Sequence, residues 1–93
     1  HPQYETAKKQ MRHGGAIVTF YAKGGIEKGR SFLNKLQMLS HTPNLGDTRT
    51  SATHPASTTH SKLTEEERNK VGIGSGLIRI SVGLEHIDDI IKD

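Results

Sequence analysis

The chain has no cysteine, which excludes a disulfide framework and any thiolate metal site. It has no long apolar run either, because only 31% of the 93 residues are hydrophobic and no window approaches the roughly 18 apolar residues that span a bilayer. The opening residues HPQYETAKKQ are polar and cannot form the core of a signal peptide. A cytoplasmic protein without a membrane partner is therefore expected. Aromatic residues are scarce: Tyr4, Phe20, Tyr21 and Phe32 are all there are, too few for a sheet that stacks RNA bases. Charge of one sign is not concentrated. The formal charge is +3 with pI near 9.4, but Lys8, Lys9 and Arg12 lie far from Lys28, Arg30 and Lys35, with acids between them, so no nucleic-acid partner is expected.

What is present fits one domain over residues 1–93. A domain this small and polar has a thin core and commonly rests on a larger body. Residues Tyr4 to Arg12 favour a helix, with Gly14-Gly15 as its stop. AIVTFYAK, Ala16 to Lys23, reads as a strand with Val18 and Phe20 on one face. Beyond Gly24, the spacing of Ile26, Gly29, Phe32, Leu33 and Leu36 predicts an amphipathic helix from Gly25 to Leu39. Pro43, Asn44 and Gly46 mark a turn, Thr48 to Thr53 a modest strand, and Ser57 to Leu63 a loop. Thr64 followed by Glu67 forms a capping box for a short helix to Val71. LIRISVGL, Leu77 to Leu84, alternates cleanly, with Ile78 and Ile80 on one face and Arg79 and Ser81 on the other. Ile87, Ile90 and Ile91 make an apolar stripe on a closing helix.

The resulting order, α-β-α-β-α-β-α, favours an α+β two-layer sandwich: a small, mostly antiparallel sheet with helices on one face. The other face carries Arg79 and Ser81. It is expected to meet something polar, and to be more solvent-open in this chain alone than where a larger body covers it.

Several motif-like features have plain explanations. The glycines of VGIGSG, Gly72 to Gly76, lie between a helix and a strand, the reverse of a phosphate-cradling loop, so they read as turn glycines. His54 and His60 are not spaced as metal ligands, and no metal site is expected. No G-x-S-x-G elbow supports a hydrolase. Arg79 stands apart, because a guanidinium held on a strand is a rigid fork suited to a carboxylate. A surface arginine, or one paired to an acid such as Asp47, would give the same pattern.

LGD at Leu45 to Asp47, HPAS at His54 to Ser57, Thr59-His60, Glu66 to Arg68, Gly72-Ile73 and RISVGLE at Arg79 to Glu85 occur in this order along Asn44 to Asp93. This stretch resembles the C-terminal end of the Cys/Met-metabolism family of pyridoxal-phosphate enzymes. NLGDT at Asn44 to Thr48, the strand from Gly14 to Phe20 and the opening HPQ look most like the O-succinylhomoserine sulfhydrylases within it. O-acetylhomoserine sulfhydrylases, cystathionine γ-synthases and methionine γ-lyases are the neighbouring readings, and an autonomous binding or assembly module is another.

The resemblance implies the C-terminal small domain of a fold-type I pyridoxal-phosphate enzyme, which acts as a tetramer on a small amino-acid ester. The cofactor serves as electron sink while sulfide replaces the acyl group. It would be bound by a large domain outside this chain, so no catalytic or cofactor-binding residue is expected here. Lys62, in a polar loop, lacks the desolvation such a lysine needs. Two residues match the family's substrate site: Arg79, the position that binds the α-carboxylate, and Asn44, where the lyases usually have serine.

Overall fold

Helix α2 spans Gly25–Lys35 in the computed structural model, which describes all 93 residues. It opens on Gly24 and Gly25, both at positive φ (110° and 69°), a backbone that residues with a Cβ rarely adopt. It ends short of the expected Leu39. Leu36 is extended, and the amides of Gln37, Met38 and Leu39 donate to the Asp93 carboxylate at 2.8, 3.2 and 3.0 Å. N–H groups taken by a carboxylate cannot continue the helical ladder.

Four strands make one sheet: β1 (Ile17–Tyr21), β2 (Ser40–His41), β3 (Ser51–Thr53) and β4 (Leu77–Ser81), ordered β1-β4-β3-β2. β4 pairs antiparallel with β1 and with β3, while β2 and β3 run parallel. The sheet is thus mixed and mostly antiparallel, in an α+β fold. β2 was not expected, since two residues are too short to show alternation. Strand β3 is shorter than Thr48 to Thr53, because Asp47 turns the chain by accepting from the Arg49 amide at 2.9 Å.

The core lies between α2 and one sheet face. Leu33, Leu39, Ala52 and Ile78 are buried together, flanked by Ala22, Leu36 and Ile80. Phe20 meets Phe32 edge to face, with centroids 5.5 Å apart. The remaining helices are α1 (Tyr4–Gln10), α3 (Glu65–Lys70) and α4 (Ile87–Lys92). α1 stops at Gln10 with Met11 extended, so Gly14-Gly15 does not end it. For α3, the Thr64 hydroxyl accepts from the Glu67 amide at 3.2 Å, one half of the capping box. The isoleucine stripe of α4 is not a core stripe, since Ile87 and Ile91 are exposed.

The other sheet face carries Arg79 and Ser81 as expected; its β1 side, with Ile17, Thr19 and Tyr21, is exposed, but its β3 side is closed. Register places Thr53 beside Arg79 and Ser51 beside Ser81, yet Ser51, Thr53 and Ser81 are buried. The chain's own backbone closes over part of it. The Thr53 hydroxyl donates to the Thr42 carbonyl at 2.8 Å, and Arg79 Nη2 donates to the Pro43 carbonyl at 2.7 Å.

Candidate substrate-binding site

Arg79 sits in the middle of β4, with Thr53 of β3 on one side and Thr19 of β1 on the other. The strand fixes its stem, and the Pro43 carbonyl fixes one end of its guanidinium. Asp47 does not pair with it. That carboxylate is engaged by Arg49, whose Nη2 lies 3.3 Å away. Arg79 Nε is buried and has no hydrogen-bond partner within the chain. An orphaned donor on a charged group is costly to bury, and a carboxylate, which accepts from two parallel N–H groups, would satisfy it.

Asn44 is exposed on the loop that reaches Arg79, directly after Pro43. The structure therefore brings this loop and Arg79 together through the Pro43 backbone. The Asn44 side chain makes no hydrogen bond within the chain, which leaves its amide free. The loop turns at Gly46, whose φ of 73° suits glycine.

Three carboxylates hold the frame of the site. Glu85 accepts from the Thr50 hydroxyl at 2.6 Å and from the Thr50 amide at 2.7 Å. Those bonds, the hydroxyl's first, hold its carboxyl below the usual range. Thr50 Oγ1 in turn accepts from the Gly83 amide at 2.8 Å, so β3 and the end of β4 are tied at one hydroxyl. Asp93 is lowered by its bonds from the backbone, that of Leu39 foremost. Asp47 is lowered chiefly by the Arg49 amide.

The HPAS element is held by contacts within the chain. His54 is fully buried, its Nδ1 lies 2.8 Å from the Ser57 hydroxyl, and its Nε2 lies 2.6 Å from the Ser75 carbonyl. Both ring nitrogens are thus occupied within the chain. Pro55–Ser57, just after it, forms a single 3₁₀ turn. Gly72 to Gly76 form a turn between α3 and β4, with Gly72 at φ 79°.

The pyridoxal phosphate implied by the resemblance does not fit the residues of this chain alone. Every lysine, Lys62 included, is exposed, whereas a Schiff-base lysine needs a desolvated amine. The orphaned Arg79 donor suits a carboxylate, and none of the lysines has the burial that a Schiff base needs.

A family model described as "Cys/Met metabolism PLP-dependent enzyme" matches residues 1–93. L-methionine gamma-lyase of Fusobacterium nucleatum subsp. nucleatum is 55% identical over 93 residues, covering 100% of this chain and 24% of that protein. O-succinylhomoserine sulfhydrylase of Pseudomonas aeruginosa is 47% identical, again over the whole chain and 23% of its own length. A crystal structure of a cystathionine gamma-lyase from Micromonospora echinospora superposes with a TM-score of 0.88 at 38% identity, covering 100% of this chain and 24% of that one. The chain therefore spans about a quarter of the length of these relatives. With the match running from His1 to Asp93, the chain belongs to the Cys/Met-metabolism family of pyridoxal-phosphate-dependent enzymes.

Proposed function

We propose that this chain is the C-terminal domain of a longer pyridoxal-phosphate-dependent enzyme and supplies the arm that binds the α-carboxylate of an amino-acid substrate. The observation that carries this reading is the buried, partnerless Nε of Arg79, beside an Nη2 already oriented by the Pro43 carbonyl. A guanidinium fixed in this way binds a carboxylate with little further ordering, so it orients the substrate as well as anchoring it. Asn44 contributes an amide or its backbone at the mouth of the same loop. The cofactor and the lysine that holds it belong to the larger part of the enzyme.

Within the family we propose an O-succinylhomoserine sulfhydrylase, a transferase that replaces the acyl group with sulfide. The NLGDT sequence at Asn44 to Thr48 favours it. Methionine γ-lyase is the second reading, favoured by the higher identity of 55% against 47%. Full-length enzyme assayed with O-succinylhomoserine and sulfide, and separately with methionine, decides between them. Turnover of methionine without use of the ester selects the lyase.

Steady-state kinetics of Arg79→Ala in the full-length enzyme tests the shared part of the reading. Removing one partner of a desolvated charge pair costs about 2 to 5 kcal/mol. At about 1.4 kcal/mol per decade, kcat/KM falls by tens to thousands of fold. Cofactor affinity stays the same. Arg79→Lys recovers part of the loss, since an ammonium cannot present two parallel donors. Unchanged kcat/KM in Arg79→Ala removes Arg79 from the substrate site.

A further inference from the structure

The polar face owes its shape to an imidazole outside it. His54 is fully buried, and three segments meet at its ring. The Ser75 carbonyl, 2.6 Å from Nε2, can only accept, so Nε2 carries the proton. Nδ1 lies 2.8 Å from the Ser57 hydroxyl. The third segment is α2, which comes against the ring at Gly29. A Cβ at Gly29 would lie 2.5 Å from His54 Nε2 and 2.7 Å from Cδ2. Glycine inside a helix costs about 1 kcal/mol relative to alanine. Here it is what lets the helix backbone approach the ring.

Two paths lead from this ring to Arg79. Along β3, His54 follows Thr53, which is the register partner of Arg79 on β4. The Thr53 hydroxyl holds the Thr42 carbonyl, and the neighbouring Pro43 carbonyl holds Arg79 Nη2. Along the other path, the ring holds the Ser75 carbonyl on the segment that runs directly into β4. One path sets where the guanidinium's anchor lies, and the other sets where its strand begins.

We infer that His54 is a positioning residue for Arg79: through Thr53 and Ser75 it fixes the guanidinium at the distance and angle a substrate carboxylate requires. The inference rests on the reading of Arg79 as the carboxylate site. His54 touches neither substrate nor cofactor, and its effect is specific to the carboxylate.

The test uses the full-length, cofactor-loaded enzyme and two inhibitors, 2-aminobutyrate and propylamine, which differ by the carboxylate alone. The ratio of their inhibition constants measures carboxylate recognition. Displacement of a binding group by about 1 Å can cost on the order of a hundredfold. In His54→Leu, which removes both hydrogen bonds, the preference for 2-aminobutyrate falls about ten- to a hundredfold. KM for the substrate rises in parallel, while propylamine and cofactor affinities hold. His54→Gln, which can still offer an amide N–H to the Ser75 carbonyl, restores much of the preference.

Gly29→Ala keeps every hydrogen-bonding group but pushes the ring aside, and it lowers the preference several-fold. This variant stands in if His54→Leu does not fold. Arg79→Ala is the control that separates the two readings. If Arg79→Ala leaves the preference intact, the carboxylate site itself is wrong. If Arg79→Ala abolishes it while folded His54→Leu or Gly29→Ala retains the wild-type preference, His54 is a packing residue only and the inference falls.

Discussion

The two most dissimilar regions of the molecule are the stretch from α1 through β1 and the run from Thr50 to Ala56. The first contains Tyr4, Met11, Ile17, Val18, Phe20 and Tyr21, all exposed, and no residue of α1 or β1 is buried. The second, TSATHPA, has no large apolar side chain, yet all seven residues are buried. Hydrophobicity and burial are thus inverted between these two regions. In the second region, hydrogen bonds and close backbone approach do the work of bulk. Thr50 ties Glu85 to Gly83, Thr53 holds Thr42, and His54 joins Ser57 to Ser75. Apart from Phe20, which meets Phe32, the first region leaves most of its apolar surface open to water. That is what a segment facing the remainder of a longer enzyme would show, in keeping with a chain a quarter the length of its relatives.

The sharpest way to break this contrast is to compare truncations of equal chemistry in the two halves of the sheet. Ile78 is fully buried and Ile17 is exposed, although they lie on adjoining strands. Ile78→Ala is expected to destabilise the chain by about 2 to 5 kcal/mol, and Ile17→Ala by no more than about 0.5 kcal/mol. Urea unfolding of both variants measures the difference. Equal losses would mean that β1 is packed in solution and that the inversion is not real.

A smaller effect tests the polar run itself. Thr50→Val keeps the shape and removes the hydroxyl, which leaves the Gly83 amide without its acceptor and Glu85 without one of its donors. Loss of about 1 to 3 kcal/mol is expected. A variant as stable as the wild type would show that packing, not hydrogen bonding, holds this region.

Periodicity made part of this arrangement legible in advance and was blind to the rest. Helix α2 and strand β4 were visible because Leu33 and Leu36, and Ile78 and Ile80, recur at the spacing of buried faces. Arg79 was visible for the same reason, as a charge on an otherwise apolar strand. The isoleucines of α4 recur equally well, but Ile87 and Ile91 stay exposed, so a stripe alone does not reveal whether anything lies against it. Strand β2, two residues long, has no period to detect. The closure over Thr53 and Arg79 was hidden because it depends on a loop folding back at Thr42 and Pro43, a long-range event. The partners of His54 were hidden in the same way: Gly29, Ser57 and Ser75 come together only in the fold. A glycine on the apolar face of a helix was the one local sign that something approaches closely there.

The frame also sets a response to acid. Glu85, Asp93 and Asp47 all have carboxyls held below their ordinary values by hydrogen bonds. A carboxyl whose folded pKa is depressed binds fewer protons folded than unfolded, so its contribution is complete above the unfolded value. That contribution is lost as pH falls below about 4 toward the folded value. Unfolding followed between neutral and acid pH should show stability dropping through that window. The drop should be shallower in Glu85→Gln and Asp93→Asn. An unchanged slope in both variants would place the acid sensitivity elsewhere.

The smallest effect is the most informative about β1. Val18 is half exposed and pairs with Ile80 on β4, so Val18→Thr keeps a β-branched residue on the strand and changes only its polarity. In the 93-residue chain, where the side chain already faces water, stability should change by less than about 0.5 kcal/mol. In the full-length protein, with the rest of the enzyme against β1, the same hydroxyl would be buried without a partner, at about 1 to 3 kcal/mol. Denaturation of the variant in both contexts gives the comparison directly. A cost in the full-length protein that exceeds the cost in the short chain places β1 against the larger part. Equal, negligible costs in both would mean that β1 faces solvent in the longer protein proposed above, and its apolar surface would then need another explanation.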